Sequence, residues 1–253
     1  VPEAVRRPVG HELPAEYAAF SRDENPIHLE VAAAVAAGLP GVVLHGMCTA
    51  AWCVDAIGEA AGSPPLEFEC RFAAPLCPGQ QALFTPTPRG DARWGCAAIR
   101  EDGEVLLKHT DASTEPTAIQ TSAGLPASES APPADLSVSL EAQALARYRD
   151  LLGFRAEWTA GLLLPLVRLG PSVLALARSR GLEPNGAIQT GLSFRFGRAP
   201  TAPLTLQVGL RAVEDRTRGR LHLLTVEAEF TSYGAHLGRS RWTLVRPLDP
   251  VSR

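Results

Sequence analysis

The chain has 253 residues, 45% hydrophobic and 20% charged, with a formal net charge of −3. That is the composition of an ordinary globular protein, long enough for one large domain or two and for a sizeable buried core. The small negative charge excludes the electrostatic footprint expected of a nucleic-acid or anionic-membrane binder. The five cysteines, Cys48, Cys53, Cys70, Cys77 and Cys96, form no C-x-x-C pair, and their odd number excludes a complete intramolecular disulfide set. Reduced core thiols in a cytoplasmic protein are expected. The longest apolar run, Ala160 to Ala177, is broken by Pro165, Arg168 and Pro171, so neither a membrane span nor an N-terminal secretory signal is expected. The first residue is Val1 rather than methionine, which allows a trimmed chain or a domain cut from a longer protein.

In chain order, the first signal is Asn25-Pro26. Proline keeps the preceding residue out of helical geometry and is favoured at the first helical position, while Asn is a good N-cap. A helix is predicted from Pro26 to about Ala37, ending at Gly38. Gly38-Leu39-Pro40-Gly41 breaks the chain. A second helix, Met47 to Ala61, is apolar nearly all round and belongs in a core. Strands follow at Leu66–Ala73, Gln81–Thr87, Arg93–Arg100 and Val105–Ala112, the last two joined by an Asp102-Gly103 turn.

Residues 114–139 are rich in Thr, Ser, Ala and Pro, without hydrophobic period, and read as a linker between segments 1–113 and 140–253. The second segment repeats the order of the first. A helix is predicted from Pro171 to Arg180, before Gly181, then strands at Ile188–Phe196, Leu204–Val213, Leu221–Thr231 and Leu237–Val245, with Tyr233-Gly234 at the last hairpin. Arg71-Phe72 followed by Pro75 matches Arg195-Phe196 followed by Pro200, a weak internal repeat. A helix and a strand meander, twice over, predict an α+β fold with two antiparallel sheets, each packed on one helix.

The chemistry concentrates in Tyr17 to His28, where Asp23, Asn25 and His28 fall within six positions around a proline bend. Asp23 and His28 supply an acid–base pair if the bend brings them together. Placed in the first helical turn, His28 meets the positive end of the helix dipole, which disfavours imidazolium and leaves a neutral base. The same string also supports a plainer reading, a capped turn with His28 on the surface. Seventeen residues on, His45-Gly46-Met47 opens the apolar helix. Gly46 there permits close approach to the backbone, and exposed N–H groups can hold a developing enolate oxygen. A buried helix with a glycine turn is the alternative. His11, Glu12, His222 and His236 read as surface residues, and Trp52, Trp94, Trp158 and Trp242 as core or pocket walls. No phosphate loop, nucleophile elbow or metal-ligand cluster stands out.

Together the two segments resemble the MaoC-like, (R)-specific hydratase/dehydratase family of hot-dog proteins, whose pattern is roughly Y-x-x-x-S-G-D-x-N-P-[LIV]-H followed by H-G-M. Tyr17, Ser21, Asp23, Asn25, Pro26, Ile27, His28, His45, Gly46 and Met47 match. The resemblance implies a double hot-dog, each half an antiparallel sheet wrapped on a central helix. Segment 1–113 would be the catalytic repeat and 140–253 a degenerate one shaping an acyl pocket.

The resemblance further implies Asp23 and His28 as the catalytic pair, Asn25 ordering the water, and His45, Gly46 and Met47 at the substrate, with the Gly46 N–H on the thioester carbonyl. The reaction would interconvert (3R)-hydroxyacyl and trans-2-enoyl thioesters of coenzyme A or acyl carrier protein, in fatty acid or polyketide metabolism, with no metal or organic cofactor. A homodimer is compatible with this reading. Two departures are Arg22, where the family has Gly, and the catalytic motif in the first half, where many double hot-dog members carry it in the second. They leave open a repurposed cyclase or isomerase of secondary metabolism, or a non-catalytic acyl-thioester-binding subunit.

Overall fold

The computed structural model describes residues 2–116, 136–182 and 187–247. The first segment contains β1 (Val5–Pro8), α1 (Leu13–Ser21), a 3₁₀ turn (Pro26–His28), α2 (Val31–Ala36), α3 (Gly46–Ala61), β2 (Glu67–Phe72), β3 (Gln81–Pro88), β4 (Arg93–Arg100) and β5 (Val105–Ser113). The second contains β6 (Leu136–Leu140), α4 (Ala142–Leu152), α5 (Thr159–Ser179), β7 (Ile188–Phe196), β8 (Leu204–Arg218), β9 (Leu221–Ser232) and β10 (Ala235–Pro247). Period-two burial sets the strand faces: β3 turns Ala82, Phe84 and Pro86 inward and Leu83 outward. Tyr233 and Gly234 both adopt positive φ, 48° and 77°, as a two-residue hairpin loop requires.

The expected two sheets are joined into one. The strand order is β1-β3-β4-β5-β2-β7-β10-β9-β8-β6, ten strands among the described residues. Each half contributes five, and the order reads outward from the central β2·β7 pair in equivalent sequence. That central pair is antiparallel, with Glu67 opposite Arg195 and Arg71 opposite Gly191. This register places the matching Arg71 and Arg195 at equivalent positions about a pseudo-two-fold axis, which gives the weak repeat a structural meaning. The halves thus form a double hot-dog.

α3 explains the joint between halves. Its sequence is apolar on every side, and residues Cys48 to Gly58 are all buried. Gly62, at φ 65°, ends it in the left-handed conformation. The only charge within the buried stretch is Asp55, fully enclosed. Its carboxylate accepts from Arg7 Nη2 at 2.6 Å, from the backbone N–H groups of Arg155 and Ala156 at 3.0 Å, and from Thr159 Oγ1 at 3.0 Å. One buried carboxylate thereby ties β1 and α3 of the first half to the turn that opens α5 in the second.

Three further expectations change. The helix predicted over 26–37 is split: His28 ends a 3₁₀ turn, Glu30 is extended at φ −126° and ψ 120°, and α2 starts at Val31. The bonds from Val43 N–H to Ile27 O and from the His28 ring to Val43 O hold the first turn away from a continuous helix axis. The helix predicted from Pro171 is the end of a 21-residue helix that contains both Pro165 and Pro171. By length and hydropathy that helix could cross a membrane, yet 61% of its apolar window is buried within the protein, as in a core helix. Finally, of the expected linker, residues 136–139 lie in β6, which pairs with β8; residues 117–135 lie outside the described residues.

Candidate active site

The turn from Ser21 to His28 is built by short-range bonds. α1 ends at Arg22, which takes φ 61° and ψ 23°. That left-handed residue is where the family pattern has Gly, and the conformation is the physical reason: a Cβ there costs about 1–2 kcal/mol. The Arg22 side chain is exposed and does not line the cavity described below. Ser21 Oγ donates to Tyr17 O at 2.7 Å and accepts from the Asp23 N–H at 3.2 Å. Asp23 Oδ1 accepts from the Asn25 N–H at 3.3 Å, and Asn25 Oδ1 caps the 3₁₀ turn through the Ile27 N–H at 3.4 Å. Asn25 Nδ2 crosses to the second half and donates to Ala187 O at 3.4 Å. The Asn side chain therefore organises the turn and anchors it to the chain just before β7.

His28 is buried, and its Nδ1 lies 2.8 Å from Val43 O. A carbonyl only accepts, so Nδ1 carries the proton and Nε2 keeps the lone pair. Burial lowers the His28 pKa below the ordinary imidazole value of 6.5, opposed by the nearby Asp23 charge and the Val43 bond. The neutral state expected from a helix dipole is thus produced chiefly by desolvation. His45 is 2% exposed, and its Nε2–H donates to Asp23 O at 3.0 Å. Its ring stacks on His28, with centroids 3.6 Å apart and 20° between planes. Burial first, then the His28 charge, pushes its pKa well down. The Tyr17 ring backs it at 4.7 Å. His45, read from sequence as a substrate contact, therefore also fixes the backbone of Asp23 and the plane of His28.

The bend does bring the expected pair together. A carboxylate oxygen of Asp23 and ring nitrogens of His28 and His45 all lie within 4.8 Å of one another. Three such groups are a candidate ligand set for a metal ion. However, the two imidazoles are stacked with centroids 3.6 Å apart, so their in-plane lone pairs lie in separate, nearly parallel planes. They cannot converge on one ion at the ~2.0–2.1 Å that a metal–nitrogen bond needs. The spacing suits a water bridging Asp23 and His28.

These groups open onto a cavity of about 320 Å³ lined by Tyr17, Asp23, His28, Gly46 and Met47 from the first half. Gly46 is the first residue of α3, where backbone N–H groups have no intrahelical partner. A Cβ at Gly46 would sit 3.1 Å from the Phe72 ring, so close packing of Phe72 is one reason for glycine here. The floor comes from the second half: Leu166 and Val173 of α5, with Trp242 and Leu244 of β10. Gln189 and Thr190 of β7 add polar groups. None of these second-half residues was singled out as a site residue except Trp242, read as a wall. Their approach depends on the β2·β7 joint, which leaves no local trace in sequence. His222 and His236 do not line the cavity, and His222 pairs with Asp215 at 2.8 Å.

An acid–base cluster thus faces an apolar cavity shared between the two pseudo-equivalent halves of a double hot-dog. Residues 2–102 match the family model of the MaoC-like domain. The likeness to the MaoC-like domain is thus carried by the first half of the chain. Among characterised relatives, it is 40% identical over 79 residues to 3-hydroxyacyl-thioester dehydratase X of Mycobacterium tuberculosis, covering 31% of this chain and 27% of that protein. It is 37% identical over 65 residues to peroxisomal multifunctional enzyme type 2 of Drosophila melanogaster, covering 24% of this chain and 11% of that protein. The match thus spans under a third of either relative.

Solved structures extend the fold likeness over the whole chain. A MaoC domain protein from Chloroflexus aurantiacus superposes with a TM-score of 0.62 at 12% identity, covering 99% of this chain and 96% of that one. A Mycobacterium tuberculosis protein with a double hot-dog fold gives 0.63 at 14% identity, covering 97% and 96%.

Proposed function

We propose that this protein interconverts (3R)-hydroxyacyl and trans-2-enoyl thioesters by adding or removing water. The observation that carries the proposal is the convergence of Asp23 with a buried, neutral His28 at the wall of an apolar cavity that also holds the α3 N-terminus. In hydration, a water held between Asp23 and the His28 Nε2 lone pair loses a proton as its oxygen attacks the β carbon. Negative charge grows on the thioester oxygen, where the Gly46 N–H and the α3 dipole oppose it. A proton from the same pair reaches the α carbon on the same face. Dehydration runs these steps in reverse.

The remaining motif residues position these groups. Asn25 sets the turn and His45 holds the Asp23 backbone. The carrier is coenzyme A or the pantetheine arm of an acyl carrier protein. The acyl chain lies on Leu166, Val173, Trp242 and Leu244 of the second half. The test is product analysis after incubation of a trans-2-enoyl thioester in isotopically labelled water. The proposal expects a (3R)-hydroxyacyl product carrying solvent oxygen. A rearranged or cyclised product without solvent oxygen would replace hydration by isomerisation or cyclisation.

A further inference from the structure

Gln189 stands out in the cavity wall. It is a side-chain amide on β7, in the half that carries no catalytic motif, yet its Nε2 lies 3.9 Å from Met47 Sδ, one residue beyond Gly46. The same Nε2 donates to Gly191 O at 3.3 Å, which orients the side chain. Oε1 accepts from no protein donor among the described residues, so it is available to a ligand. The setting is graded. Gln189 and its neighbour Thr190 are half-exposed, while Leu166, Trp242 and Leu244 on the same half are buried and apolar.

On the thioester reading above, the carbonyl sits at the α3 N-terminus. The apolar acyl chain then belongs on the buried floor, and the polar arm leaves past the half-exposed side. The first polar group of a pantetheine arm is a secondary amide, a short ethylene link beyond the sulfur. Its N–H needs an acceptor once water is excluded.

We infer that Gln189 is a substrate-binding residue whose Oε1 accepts from the amide N–H of the pantetheine arm nearest the thioester. The degenerate half then recognises the carrier as well as housing the chain. A neutral hydrogen bond of this kind is worth about three- to tenfold in affinity.

Two trans-2-hexenoyl thioesters test this: one of N-acetylcysteamine, which keeps the amide, and one of an alkanethiol of equal length, which lacks it. Calorimetric binding to wild type and to Gln189→Leu, with hydration rates in parallel, gives the comparison. Wild type is expected to prefer the amide-bearing thioester three- to tenfold in both Kd and kcat/KM. Gln189→Leu is expected to abolish that preference, and Gln189→Glu, which keeps an acceptor, to retain it. Equal weakening of both ligands by Gln189→Leu, an intact preference in that variant, or no binding of either thioester to wild type overturns the inference. A Gln189-dependent binding preference without turnover would instead overturn the proposed reaction and leave the recognition standing.

Discussion

Replacing Asp55 with alanine would strand a buried cation and open the joint between the halves. Asp55 has no exposed side-chain surface, and Arg7, its ion partner at 2.6 Å, retains only 11%. Burial already lowers the Arg7 pKa, and Asp55 is the largest influence opposing it. Removing one partner of a buried ion pair costs about 3–5 kcal/mol, because the remaining charge stays desolvated. The N–H groups of Arg155 and Ala156 and the Thr159 hydroxyl would lose the same acceptor. Native stabilities are only about 5–15 kcal/mol, so the loss is a large fraction of the total. Asp55→Asn keeps the shape but not the charge and should cost less, about 1–3 kcal/mol. Adding Arg7→Met to Asp55→Ala should restore part of the loss, since the stranded charge goes with it. Urea unfolding with a common slope measures all three differences. An Asp55→Ala cost below about 1 kcal/mol would refute the reasoning that this carboxylate compensates a buried cation.

Other consequences follow from the turn between Ser21 and His28. His28 and His45 have folded-state pKa values below 6.5, so the unfolded chain takes up their protons first. Their neutral burial therefore leaves stability intact above about pH 6.5 and erodes it as pH falls below that value. The acid limb of the hydration rate should likewise lie below pH 6.5, and a limb at or above pH 7 would contradict the neutral assignment of His28. Arg22→Gly should raise stability by about 0.5–1 kcal/mol, since relief of the left-handed strain exceeds the added chain entropy. A loss of stability in thermal unfolding would count against strain at this position. Asn25→Ala removes a cap worth about 1 kcal/mol and the tie to Ala187. It should lower kcat more than tenfold through misplacement of Asp23, and an unchanged kcat would show that the turn holds its shape without the amide.

The strands and α3 were legible because alternation and an all-round apolar face are local signals. Seven strands from β3 to β10, leaving aside β6, start within two residues of their predicted positions. β1 and β6 are four and five residues long and exist through pairing with β3 and β8, so nothing local announces them. The proline rule placed the start of the last helix too late. In α5 the chain keeps Pro165 and Pro171 within a mostly buried helix, where packing outweighs the lost backbone bonds.

At the site, the motif spacing identified Asp23, Asn25, His28 and the 45–47 segment, and the structure brings them to one cavity. Their division of labour was not legible. The His28–His45 stack and the bond from His45 to Asp23 O link residues 17 to 22 positions apart across a loop. Asp55 did leave a sequence signal, a lone carboxylate inside an otherwise apolar helix stretch, which already asks for a buried partner.

The central claim rests on the Asp23 and His28 pair, and the most direct measurement is the rate at which the enoyl-thioester absorbance is lost on hydration by purified protein. The wild type is compared with His28→Ala, Asp23→Asn and the double variant, all confirmed as folded by circular dichroism. Each single change should lower kcat by about 10²–10⁴-fold, with the double variant little worse than the weaker single one because the two act as a unit. Equal rates for the wild type and the double variant would contradict the account.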